Sequence, residues 1–202
     1  MSLARIAPRL NAADRDSVAE GPNVASAMLD LGRRARAAAR RVGLATPEEK
    51  GAALQAMASR IRAAAEDILA ANAEDMAQAR ANGQAAAFLD RLALDPDRLE
   101  GIAAAVESIA AMPDPVGRVL ASFERPNGLH IDRVATPLGV VGIIFESRPN
   151  VTADAGALCV KAGNAAILRA GSDSFRTSLL VSNSPCPAGR ALTDALRARP
   201  ER

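Results

Sequence analysis

Eight consecutive residues, Leu138–Phe145 (LGVVGIIF), carry no charge, and four of them are β-branched. A run this short and this apolar suits a strand buried on both faces. The loop Glu146–Asn150 follows it. Val151–Ala162 then reads as a helix, with Asn150 or Thr152 near its cap and Gly163-Asn164 at its end. Ala165–Leu168 is a second apolar run, read as another buried strand. Strand, helix and strand within roughly 30 residues make a βαβ unit, whose strands should be parallel neighbours with a right-handed crossover. Gly171–Ser174 reads as the way into a further helix.

What precedes this unit has helical periodicity. Hydrophobic residues make up 49% of the chain but aromatics only 2%, so the core must be built from Ala, Leu, Val and Ile. Ala favours helices because it loses no side-chain entropy in them. From Ala25 to Val42 an apolar stripe runs through Met28, Leu29, Ala35, Ala39 and Val42, and Gly43 closes it. Thr46, Pro47 and Glu49 form a capping-box signature, followed at helical spacing by Leu54, Met57, Ala58, Ile61, Ala65 and Ile68. Asn72 is read as the cap of a further helix ending at Asn82-Gly83. A short helix spans Ala85–Arg91, and a longer one spans Pro96–Ala111, capped by Asp95.

Pro113 and Pro115 end the helical layer. Val119–Glu124 and Leu129–Val134 read as strands around a turn at Asn127-Gly128, a strong hairpin signal. This hairpin should have one polar and one apolar face. It is a candidate to lie on the sheet or to pair with a second copy of the chain.

Composition excludes several classes. The net charge of +2, from 25 basic and 23 acidic residues, is a poor match to a nucleic-acid partner. No apolar run is long enough to span a membrane. Two cysteines form no disulfide framework, so a cytoplasmic location is expected. Cys159 falls on the apolar side of a helix and reads as an inert thiol. Cys186, between two prolines, lacks a held partner. His130 lies on the polar side of the hairpin, and no metal-ligand spacing is present.

In an open α/β sheet, ligands bind beyond the carboxyl ends of the strands. Here those ends lead into Glu146–Asn150 and Arg169–Asp173. Arg169 directly follows a strand, where its guanidinium could clamp a phosphate or simply be solvated. There is no G-x-G-x-x-G fingerprint, since Gly139 and Gly142 lie within a strand.

The stretch Ala135–Ser174 contains ESRPNVT (Glu146–Thr152), KAGNAAILR (Lys161–Arg169) and Gly171-Ser172. It resembles the gamma-glutamyl phosphate reductase family, the glutamate-5-semialdehyde dehydrogenases of the aldehyde dehydrogenase superfamily. MLDLGRRARAAAR from Met28, ILAANAEDMAQAR from Ile68, FLDRLALDPDRL from Phe88 and PDPVGRV from Pro113 resemble its N-terminal half. The resemblance implies an α/β fold: a helical layer and a β-hairpin leading into the first βαβ unit of a Rossmann-like NADP-binding domain, truncated. It divides the chain into a mobile extension (1–24), a helical segment (25–112), a connector with hairpin (113–134), the start of the NADP-binding domain (135–177) and a divergent tail (178–202).

The same resemblance implies NADPH-dependent reduction of L-glutamyl 5-phosphate to L-glutamate 5-semialdehyde and phosphate in proline biosynthesis. Ile144, Phe145, Glu146 and Ser147 would lie along the NADP(H) cofactor. Arg169, replacing the superfamily's lysine, and Ser172, where NAD-preferring relatives often carry an acid, would favour the 2′-phosphate. Arg148 or Asn150 would fill a substrate or oxyanion role. No catalytic residue is assigned, because the family's nucleophilic cysteine has no counterpart in this sequence. An inactive fragment that retains nucleotide or subunit binding is the alternative.

Overall fold

The computed structural model describes residues 24–183. The segments 1–23 and 184–202, with Cys186, lie outside the described residues. The chain divides into two compact units between Arg34 and Ala35.

In the first unit, residues 24–34 begin helix α1 (Val24–Val42). Asp30 pairs with Arg34 one turn on at 2.9 Å, an exposed contact of small energetic value. The apolar stripe expected along α1 is buried only from Ala35 onward; Met28 and Leu29 are more than half exposed. The described part of their unit has no second element to cover them.

The second unit is built on α2 (Pro47–Ala63), α3 (Ala65–Ala81), α4 (Ala86–Leu92) and α5 (Pro96–Ala111). Thr46 caps α2 in a complete capping box: its hydroxyl accepts from the Glu49 N–H, and its own N–H donates to the Glu49 carboxylate at 2.8 Å. Asp95 caps α5, accepting from the Arg98 N–H at 2.7 Å. The core joins Leu54, Ala58 and Ile61 of α2 to Ile68 of α3 and to Leu99, Ile102, Ala103 and Val106 of α5. Burying each Leu or Ile there contributes about 1.5–3 kcal/mol.

One buried ion pair closes the end of this layer. Lys50 Nζ lies 2.6 Å from Asp114, and both side chains are buried. Burial pushes the Asp114 carboxyl up, but Lys50, the Val116 N–H and Lys161 outweigh it and hold the group below its ordinary value. Lys161 is also buried, and its ammonium donates to the Ala110 carbonyl at 2.8 Å.

Asn72 departs from expectation. It sits inside α3 rather than capping a helix, and it is buried. Its amide donates to the Leu92 carbonyl (2.9 Å) and accepts from the Leu94 N–H (2.8 Å). Tertiary partners therefore outweigh its local preference for a cap. Three residues on, Asp75 accepts from the backbone N–H of Thr177 (2.9 Å), its hydroxyl (2.7 Å) and Arg176 (3.2 Å). Thr177 belongs to the first turn of α7 (Phe175–Asn183), whose N–H groups lack intrahelical acceptors. Asp75 thus caps α7 from α3. Val181 of α7 is fully buried in the core.

Strands β1 (Val119–Glu124) and β2 (His130–Val134) form the expected antiparallel hairpin, with Gly128 at φ +82° in its turn. Nearly all of it is exposed. The expected separation into two faces is incomplete. A register shift between Val119 and Ala121 places Val119 opposite Val134, and Arg133 pairs with Ala121 among the apolar residues.

Strands β3 (Val140–Ile144) and β4 (Ala165–Arg169) pair in parallel around helix α6 (Pro149–Lys161). This is the predicted βαβ unit. Helix α6 begins two residues earlier than expected, because Pro149 takes its first position and Arg148 its N-cap. Asn150 and Thr152 therefore lie inside the helix. Register is held at the other end. Asn164 Oδ1 accepts from the Gly139 N–H at 2.8 Å, and the Ala165 N–H donates to the Gly139 carbonyl. Gly163, at φ +74°, lies so close to Pro137 that a Cβ would come within 2.8 Å of the proline ring.

The strands are not buried on both faces as the sequence led us to expect. Leu138 is 86% and Ile144 82% exposed, and the other residues of the pair are at best half-buried. Among the described residues, α6 is the one element packed extensively on this two-stranded sheet.

Candidate functional site

The carboxyl ends of β3 and β4 lead into two loops that touch. The Phe145 N–H donates to the Arg169 carbonyl at 3.1 Å, extending the pairing one step past the strands. Gly171 then lies against Ser147. A Cβ at position 171 would stand 2.8 Å from Ser147 Oγ and 3.2 Å from its backbone nitrogen. The close approach requires the glycine. Ser147 is 5% exposed, and its hydroxyl donates to Asp173 across 3.5 Å. Its geometry braces the two loops against each other.

Around that brace the other strand-end residues are open. Arg169, Ser172, Glu146 and Ile144 are exposed and Phe145 is half-buried. The Arg169 guanidinium has no partner among the described residues. A short 3-10 turn, Ser172–Ser174, links this edge to α7. The structure therefore brings Ile144, Phe145, Glu146, Ser147, Arg169 and Ser172 to one edge of the sheet.

Arg148 and Asn150 belong to a different surface. Both line a cavity of about 470 Å³ between the α4–α5 connection and the start of α6. Arg91, Arg98 and Asp154 line it as well. Arg98 is fully engaged, donating to the Asp90 carboxylate (2.8 Å) and to the carbonyls of Asp90 and Ala93. Asn150 donates to Asp154 at 3.2 Å, and burial pushes the Asp154 carboxyl above its ordinary value. Reading the sequence alone misses Arg91 and Asp154. The signal for Asp154 is a lone acid in the otherwise uncharged stretch Val151–Val160.

Cys159 is buried, and burial raises its thiol above the ordinary value, which opposes thiolate formation. His130 is exposed on the hairpin between Glu124 (2.7 Å) and Asp132 (3.0 Å). Among the described residues no group of three His, Cys, Asp or Glu side chains could hold a metal, and no helix is long and apolar enough to cross a membrane.

No family model matches the chain. Curated relatives do. The gamma-glutamyl phosphate reductase of Methylobacterium radiotolerans is 59% identical over 181 residues, 90% of this chain and 41% of the relative. That of Methylocella silvestris is 62% identical over 164 residues, 81% of this chain and 38% of the relative. Among solved structures, the gamma-glutamyl phosphate reductase of Thermotoga maritima superposes with a TM-score of 0.78 at 36% identity, over 81% of this chain and 40% of that one. A probable aldehyde dehydrogenase from Listeria monocytogenes, at 14% identity and TM-score 0.58, shares the fold. The chain spans about two fifths of the length of the curated relatives it matches. Over that shared length, on both sequence and fold, the chain belongs to the gamma-glutamyl phosphate reductases.

Proposed function

We propose that the chain serves the NADPH-dependent reduction of L-glutamyl 5-phosphate to L-glutamate 5-semialdehyde and phosphate, in proline biosynthesis and in the cytoplasm. In this reading it carries the cofactor edge and part of the substrate side. The observation that supports it most is the strand-end edge, where Gly171 and Ser147 pack two loops together and Arg169 is exposed. Bound NADPH would supply the hydride.

The residues at the edge fit an NADP cofactor. Arg169 offers an exposed guanidinium without a partner among the described residues, suited to the 2′-phosphate. Ser172 places no negative charge beside it. Ile144 and Phe145 offer apolar surface, and Glu146 lies on the same loop. Ser147 acts as a brace: with its hydroxyl turned to Asp173, it fixes the spacing of the loops that the cofactor would meet. The exposed hairpin, with Phe123 opposite Ile131, is a candidate pairing arm for a homo-oligomer.

In this reading Cys159 does not serve as the nucleophile. Acyl transfer needs an activated thiolate beside an oxyanion site, and a buried thiol with a raised pKa supplies neither. That burial also favours a second reading, in which the 202-residue chain alone binds nucleotide without turnover.

Titration with NADP and NAD at fixed salt tests the proposal. NADP should bind more tightly, and Arg169→Ala should remove about 1.5–3 kcal/mol of that preference, roughly tenfold to a hundredfold in affinity. Equal weakening of both nucleotides would show that Arg169 does not read the 2′-phosphate. In the reverse assay, phosphate-dependent oxidation of glutamate 5-semialdehyde with NADP, the chain alone should not turn over. Turnover abolished by Cys159→Ala or Cys186→Ala would overturn the assignment.

A further inference from the structure

The cavity at the start of α6 holds an unusual set of unspent charges. Arg91 and Arg148 both line it, and neither guanidinium has a partner among the described residues. Asp154 lines it too, and its side-chain contact is a neutral amide, that of Asn150 at 3.2 Å. The remaining pair, Asp90 and Arg98, neutralise each other. What is left open to a ligand is two cations and one half-buried anion.

That set discriminates among ligand classes. Inorganic phosphate or a simple dicarboxylate could use the two guanidiniums, but it would bring further negative charge toward Asp154. A cation alone could use Asp154 but would meet two arginines. A zwitterion satisfies both kinds of partner. Burial already disfavours the ionised form of Asp154, so a cation delivered with the ligand would relieve a standing penalty. The volume, about 470 Å³, is within the range of small-molecule sites.

We infer that this cavity receives an α-amino acid head group, with Asp154 taking the ammonium and Arg91 and Arg148 taking the carboxylate. That the amino acid is a glutamyl group rests on the reductase reading; the head-group chemistry rests on the cavity itself. In this assignment Arg148 holds substrate.

The test uses the purified chain with L-glutamate and glutarate, which differ by the amino group, titrated by calorimetry or NMR at neutral pH and fixed salt. L-glutamate should bind at least about tenfold more tightly, the scale expected for one charge-assisted contact. Asp154→Asn should bring that ratio close to one, while Arg148→Gln should weaken both ligands together. A wild-type ratio near one would overturn the inference without any variant. So would an Asp154→Asn protein, folded by its urea midpoint, that keeps the preference, or a wild type that binds neither ligand at about 10 mM. Nucleotide titration is read separately. Loss of NADP preference with retained L-glutamate preference would sink the cofactor assignment and leave this one standing.

Discussion

The helical core and the βαβ sheet are comparably apolar in sequence and end up in opposite environments. Ile61 of α2 and Ile68 of α3 are fully buried, whereas Ile144 of β3 is 82% exposed. The helical layer closes on itself, because α2, α5 and α6 each offer an apolar stripe to the others. Among the described residues the sheet has two strands and one helix packed extensively on it. Burial is thus a property of how many layers surround a residue. An uninterrupted apolar run states a demand for cover, and the neighbours decide how far it is met.

The sharpest way to break this comparison is at Lys50. If the helical side is truly dry, Lys50→Ala leaves Asp114 buried without its ion-pair partner, held only by the Val116 N–H and the more distant Lys161, and unfolding in urea should show a loss of about 3–5 kcal/mol. A loss below about 1 kcal/mol would mean that the pair is solvated. Next come two isoleucines compared directly. Ile61→Ala should destabilise by about 2–5 kcal/mol, while Ile144→Ala should stay within about 0.5 kcal/mol. A comparable loss at both positions would mean that the sheet face is covered in solution, for instance by a second copy of the chain. Thr46→Ala, which removes the capping box of α2, should cost about 1 kcal/mol.

Two carboxylates sharpen the contrast through pH. Asp114 is held below its ordinary value of 3.8, so its contribution is complete above that value and is lost as pH falls through the lowered one. Asp114→Asn should therefore flatten the acid limb of the stability profile. Asp154 is raised, so its ionised form weakens the fold at neutral pH, and that penalty fades as pH falls through the raised value. Asp154→Asn should give a small rise in urea midpoint at pH 7. A drop would mean that the carboxylate serves the fold rather than a ligand.

Local signals in the sequence proved reliable where the physics is local. The capping box at Thr46, the Asp95 cap, the hairpin turn at Gly128 and the strand–helix–strand order all rest on neighbours within a few residues. Asn72 misled because its partners, Leu92, Leu94 and Thr177, lie 20 to 105 residues away. The strand-end edge was legible from topology, since strand ends gather loops. The cavity charges were not: Arg91 of α4 and Asp154 of α6 come to line one cavity only through tertiary packing, which no spacing encodes. Whether Arg169 is spent internally could likewise be decided only with its surroundings in view.

The cap that α3 places on α7 has a consequence for the order of folding. Asp75 and the Thr177 N–H are 102 residues apart in the chain. Closing a loop of that length carries an entropic cost that must be met before the contact gives anything back. Helix α7, nine residues long, is too short to persist alone. It should therefore lock late, after α3 is already set in the core. Native-state hydrogen exchange would see it open first, and opening it would release the 3-10 turn and the loop that presents Arg169. The edge proposed to read a phosphate would then be the last part of this unit to become rigid.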